Sequence, residues 1–186
     1  MHFLSIAIST TAFASLAVGI ESPIPGYGVE TLQWKVDVAP GETKVMNGTV
    51  EEVYQQILKS NPEFKLGGDA QALRRATHLQ KRSVNCGTWP LADKGRIQQG
   101  INYLRGVGGA PRNGPGPGNC GRVSCSYNAA IWWCNDDRSP KTLDNWNWIA
   151  DSAQYILSVC APSVNQVSGQ NFERGNWNTI VKRDGC

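Results

Sequence analysis

The chain has 186 residues and a formal net charge of +3, with six cysteines, seven tryptophans and two histidines. A charge this small is ordinary for solubility and excludes the basic footprint of a nucleic-acid-binding protein. All six cysteines (Cys86, Cys120, Cys125, Cys134, Cys160 and Cys186) follow the dibasic pair Lys81-Arg82, and both histidines precede it.

The first stretch, Phe3 to Ile20, is apolar and uncharged. It is short for a membrane span, which needs about twenty strongly apolar residues. Ala12, Ala14, Ala17 and Gly19 supply small residues for signal-peptidase cleavage, and Pro23 and Pro25 break any helix beyond them. Residues 1–20 are therefore expected to be a secretory signal peptide. No second apolar run of that length follows, so the mature form is expected to have no membrane span.

Residues 21–82 carry eight charges of each sign and no cysteine. Leu32, Trp34, Val36 and Val38 alternate with Gln33, Lys35 and Asp37, the period of two that predicts a half-buried strand. Pro40-Gly41 predicts a turn. Thr49 and Glu52 then make a capping-box pair ahead of Val50, Val53, Tyr54, Ile57 and Leu58, which share one helical face. One strand and one short helix are not stable alone. This pro-segment is expected to lean on the domain that follows, as a folding aid or temporary mask rather than a passive spacer. Asn47-Gly48-Thr49 is an N-glycosylation sequon at Asn47, and also a good turn and helix cap. Gly67-Gly68-Asp69, Arg74-Arg75 and Lys81-Arg82 make the rest polar and basic, and a kexin-type processing protease is expected to cut after Arg82. A second pair, Lys182-Arg183, lies three residues from the last cysteine, where folding should protect it.

Residues 83–186 form the mature cysteine-rich domain: 104 residues, ten basic and seven acidic, enough for one core braced by disulfides. In an oxidising compartment six cysteines read as three disulfides, and fifteen pairings stay open. A zinc site is disfavoured, since no second close pair or histidine accompanies Cys120 and Cys125. An opening strand is predicted within Ser83–Trp89. Asp93 caps a helix carrying Ile97, Ile101 and Leu104, ended by Gly106, Gly108 and Gly109. Residues 110–121, rich in proline and glycine, predict an irregular surface loop that lacks the lysine of a phosphate-binding loop.

From Val123 to Trp133 the alternation predicts one long strand, or a hairpin bent near Asn128-Ala129. A second helix is predicted from Thr142 or Asp144, with Trp146, Ile149, Ala150, Ala153, Leu157 and Cys160 on one face. Val164–Ser168 and Trp177–Lys182 predict two closing strands, with turns at Gly169-Gln170 and Arg174–Asn176. The order predicts an α+β fold: a disulfide-stabilised two-layer sandwich, mainly antiparallel, with two helices on one face.

The mature domain has no histidine, which removes Ser-His-Asp and Cys-His hydrolases, histidine ribonucleases and His-ligated zinc enzymes in their usual designs. Paired cysteines leave no thiol nucleophile. Carboxylate chemistry survives through Asp136, Asp137 and Glu173, though Asp136-Asp137 reads best as a strand-end turn. No cofactor or metal is implied and no catalytic residue is assigned. Six tryptophans remain: Trp89, Trp132, Trp133, Trp146, Trp148 and Trp177. Strand alternation points Trp132 and Trp133 to opposite faces, and helical phase places Trp148 about 200° from Trp146. Trp132 and Trp148 are therefore the expected exposed pair and the expected binding surface.

The stretch from Cys120 through Cys125-Ser126-Tyr127-Asn128-Ala129-Ala130-Ile131-Trp132-Trp133-Cys134 to Asp136 resembles small secreted cysteine-rich proteins of filamentous fungi, as does Gly175 to Val181 before a terminal cysteine. The resemblance covers most of Cys86–Cys186. Its motifs mark a scaffold and carry no known chemistry. Taken with the residues, the expectation is a kexin-processed, effector-like virulence protein, monomeric and non-enzymatic, which binds an unknown host protein or cell-surface target once the pro-segment is removed. A killer or antimicrobial toxin is the nearest alternative, through a distant likeness of layout to killer-toxin folds. A small carbohydrate-binding module and a carboxylate-based glycoside hydrolase are the others.

Overall fold

A computed structural model of the chain describes residues 19–39, 41–66 and 83–186. Most of the expected leader, and the linker that holds Lys81-Arg82, lie outside the described residues.

Before the linker come β1 (Gly28–Val29), β2 (Gln33–Ala39), β3 (Glu42–Asn47) and α1 (Val50–Ser60). After it come β4 (Ser83–Cys86), β5 (Ala92–Asp93), α2 (Lys94–Gly106), β6 (Arg112–Asn113), β7 (Asn119–Ser126), β8 (Ala129–Asn135), β9 (Lys141–Thr142), α3 (Asn147–Cys160), β10 (Gln166–Val167), β11 (Gly169–Glu173) and β12 (Trp177–Arg183). The fold is α+β with mainly antiparallel sheets and three disulfides.

The main sheet has the order β1-β7-β8-β12-β11-β4, antiparallel except where β1 runs parallel to β7. β7 and β8 form the predicted hairpin. Its two turn residues, Tyr127 and Asn128, have φ of 49° and 59°, the left-handed pair that a tight hairpin turn requires. A bulge at Val123 shifts the register between Arg122 and Ser124, so Ser124 rather than Cys125 faces α1 and α2. A second sheet, β3-β2-β6-β9, combines strands from both sides of the linker.

Most predicted elements are in place, and the departures have local causes. α3 starts at Asn147 because Lys141-Thr142 pair as β9 with β6 and Asn145 Oδ1 accepts the Asn147 amide at 3.0 Å. Gly169-Gln170 is not a turn but the start of β11, which sits between β12 and β4. β3, unmarked by any hydrophobic alternation, forms as the return arm of the β2 hairpin.

One hydrophobic cluster runs across the linker. Leu32, Trp34, Val36, Val50, Val53 and Ile57 share it with Ile97, Ile101, Leu104, Trp133, Trp146 and Ile149. A smaller cluster on the opposite face of the main sheet holds Cys120, Ala130, Trp132, Cys134 and Ile180, with Ile24, Tyr27 and Trp89 packed against it. Both faces of β8 are therefore covered, and the strand is buried throughout.

Candidate functional site

The two expected surface tryptophans part ways. Trp148 is 41% exposed, on the outer side of the first turn of α3. Trp132 is fully buried, which corrects its expected place on a binding surface. Alternation put it on the face away from Trp133, but that face is not bare. Its indole donates to Asp184 Oδ2 at 2.9 Å, and the Arg122 guanidinium lies 5.9 Å from the ring centre.

The three acids do not converge. Asp136 accepts from the Tyr27 hydroxyl at 3.0 Å and the Asn178 amide at 2.8 Å, one on each carboxylate oxygen. Glu173 accepts from Asn171, whose amide also reaches Ser152 of α3, on the other face of the sheet. Asp137 pairs with Lys141 at 3.1 Å and caps the Arg138 amide. Those two hydrogen bonds, the lysine's first, hold its carboxyl below the usual range. Among the described residues, no three His, Cys, Asp or Glu side chains group so as to hold a metal ion.

The cysteines pair as Cys86–Cys160, Cys120–Cys134 and Cys125–Cys186. The first ties the edge strand β4 to the end of α3. The second crosses the β7–β8 hairpin, and the third ties the chain's last residue to β7. Lys182-Arg183 lies within β12, opposite Ala130 and Ala129, and the Arg183 amide donates to Pro90 O at 2.8 Å. Asn47 is exposed at the end of β3, while Thr49 is buried and its amide donates to Glu52 Oε2 at 2.7 Å.

The most elaborate constellation is the seat of residues 23–66 on residues 83–186, the domain on which the apolar faces of the segment were expected to lean. Trp34 stacks on Trp146 with ring centres 3.4 Å apart and planes 13° from parallel, and its indole donates to Gly48 O at 2.7 Å. Both indoles are buried. The carboxylate of Glu30 accepts from the Gly114 amide at 2.6 Å and from Asn119 Nδ2 at 2.8 Å. Glu51 accepts from the buried Ser124 hydroxyl and from the Cys125 amide at 3.1 Å. The Trp89 indole donates to Pro23 O at 2.9 Å.

Facing these groups is the glycine-rich stretch Gly106–Gly121, which joins the helix-ending glycines to the run 110–121 read as a surface loop. A Cβ on Gly121 would collide with the Leu32 side chain, and one on Gly109, whose φ is +106°, would collide with the Lys35 carbonyl. Gly106 and Gly114 meet Leu66 and Glu30 in the same way, and Gly118 lies tight against the Tyr27 ring. Five glycines of one stretch thus lie against the preceding segment. Their density was visible in the sequence; what they approach was not.

No known protein family, characterised protein or solved structure matches this chain. Among the described residues, no helix is long and apolar enough to cross a membrane.

Proposed function

We propose that the chain is the precursor of a secreted, effector-like fungal protein, cut after Arg82, whose disulfide-braced domain acts by binding a host or competitor target rather than by catalysis. The observation that carries this reading is Trp148, a large apolar side chain exposed on α3. That helix is held at its far end by Cys86–Cys160 and at Asp151 by Arg105, 2.9 Å away. A rigidly mounted aromatic side chain loses little entropy on binding and is the usual anchor of a recognition surface. The separate structural engagements of Asp136, Asp137 and Glu173 count against a paired-carboxylate hydrolase. Three disulfides in a domain of this size suit an extracellular location.

The test is infiltration of the protease-cut protein into plant tissue, in parallel with growth assays on microbes. A plant response that falls at least about tenfold with Trp148→Ala, at unchanged thermal stability, is the expected result. Inhibition of microbial growth without a plant response points instead to the toxin. Hydrolysis of chitin or glucan that disappears with Asp136→Asn or Glu173→Gln overturns the non-enzymatic reading.

A further inference from the structure

We propose that cutting at Lys81-Arg82 does not release the pro-segment. The product is a two-chain protein in which residues 21–66 stay seated on residues 83–186 as a non-covalent subunit. The proposal takes the cut itself from the processing reading above; the interface is already present in the uncut chain.

Every described contact that joins the two parts lies away from the cut. The described contacts of the segment run from Pro23 to Leu66, and β4 begins at Ser83, so a break after Arg82 severs none of them. All three disulfides lie within 83–186. The bond that survives must then be non-covalent, and the interface has the makeup of one that lasts. Leu32, Trp34, Val36, Val50, Val53 and Ile57 sit in the same buried cluster as Ile97, Ile101, Leu104 and Trp146. An interface that resembles a domain core cut in half is the mark of obligate rather than transient partners.

Polar groups reinforce it. If the segment left, the Ser124 hydroxyl would lose Glu51, and the Gly114 amide and Asn119 would lose Glu30. Two strand pairings would break as well: β1 with β7, and β2 with β6 at Gln33 and Arg112. The glycines make the fit specific. From Gly106 to Gly121 the mature domain omits side chains where Leu66, Lys35, Glu30, Tyr27 and Leu32 arrive. Gly109 and Gly118 have positive φ that favours glycine in any case, but a domain that shed the segment would have no steric need of the omissions at Gly106, Gly114 and Gly121. The segment is therefore a permanent layer of the molecule, and a target meets faces such as that of Trp148, not the apolar bed around Trp146.

The full chain, made with its disulfides, is cut in vitro with a kexin-type protease, or at a protease site engineered into residues 67–82, and examined by size exclusion and native mass spectrometry. The expected result is a single species holding both pieces one to one, separable only by denaturant. Trp34→Ala and Gly121→Val should each raise the dissociation constant by at least about a hundredfold, as loss of a central anchor does. If a variant fails to fold uncut, exchange of labelled 21–66 peptide into the cut wild-type complex gives the same readout. Separation of the wild-type pieces in native buffer, with 83–186 remaining folded and monomeric, overturns the proposal. Secreted protein without a new amino terminus at Ser83 overturns only the processing reading.

Discussion

Tyr27 reaches across the linker to Asp136, and its phenol makes that contact sensitive to alkali. Burial first, then the hydrogen bond and negative charge of Asp136, hold its pKa above the ordinary 10.0. The folded chain thus keeps the proton more tightly than the unfolded chain does. The stability this supplies is complete below about pH 10 and is lost as pH rises from there through the folded value. Tyr27→Phe should cost about 0.5–1.5 kcal/mol at neutral pH, the worth of one hydrogen bond. It should also make the loss of stability above about pH 9 shallower than in the wild type. Urea unfolding across that range is the measurement, and equal slopes for the two proteins would contradict the assignment. The same residue shows where single-residue reading of the sequence stopped. Phase and alternation sorted Trp132 from Trp133 and Trp148 from Trp146 onto opposite faces. Neither could say that the far face of β8 is roofed by Ile24, Tyr27 and Trp89, since the roof comes from distant chain.

At the scale of elements, α1 carries two adjacent acids with different work. Glu52 closes the capping box by accepting the Thr49 amide. Glu51 leaves its own helix to satisfy Ser124 and the Cys125 amide beside the bulge at Val123. Glu52→Ala should cost about 0.5–2 kcal/mol, as loss of a cap does. Glu51→Ala should cost about 1–3 kcal/mol, because it strands a buried hydroxyl in the partner strand. After a cut in the linker both changes should weaken association of the two pieces, since the helix forms only when seated, but the Glu51 change should weaken it more because it also removes the contact to β7. Chemical denaturation of the uncut chain and native mass spectrometry of the cut one separate the effects; equal weakening by both variants would refute the distinction. The capping box was legible from spacing alone because its geometry lies within one turn. β11 was not, because Gln170, Asn171 and Glu173 give no hydrophobic alternation. The buried Asn171 amide there finds partners in Ser152 of α3 and in Glu173, and Gly169 is needed where Ile156 and Cys160 press on the strand.

At the scale of the whole molecule, the order of the chain matters to how it folds. The segment before the linker is made first and holds no cysteine, while two of the three bridges join residues more than sixty positions apart: Cys86–Cys160 by 74 and Cys125–Cys186 by 61. Closing such loops costs the unfolded chain several kcal/mol of entropy, so what aligns their ends decides which of the possible pairings forms. Residues 21–66 are placed to do part of that alignment. Glu51 holds the β7 bulge next to Cys125, and Trp34 packs on Trp146 at the N-terminal cap of the helix that ends in Cys160. Reduced 83–186 refolded alone should therefore scatter among pairings. Addition of the 21–66 peptide in trans should raise the yield of the native set several-fold, and a Trp34→Ala peptide should do so far less. Peptide mapping under non-reducing conditions reads the result. Full recovery of the native bridges by 83–186 alone would leave the segment a subunit without a folding role, since its seat would form only after the domain it covers.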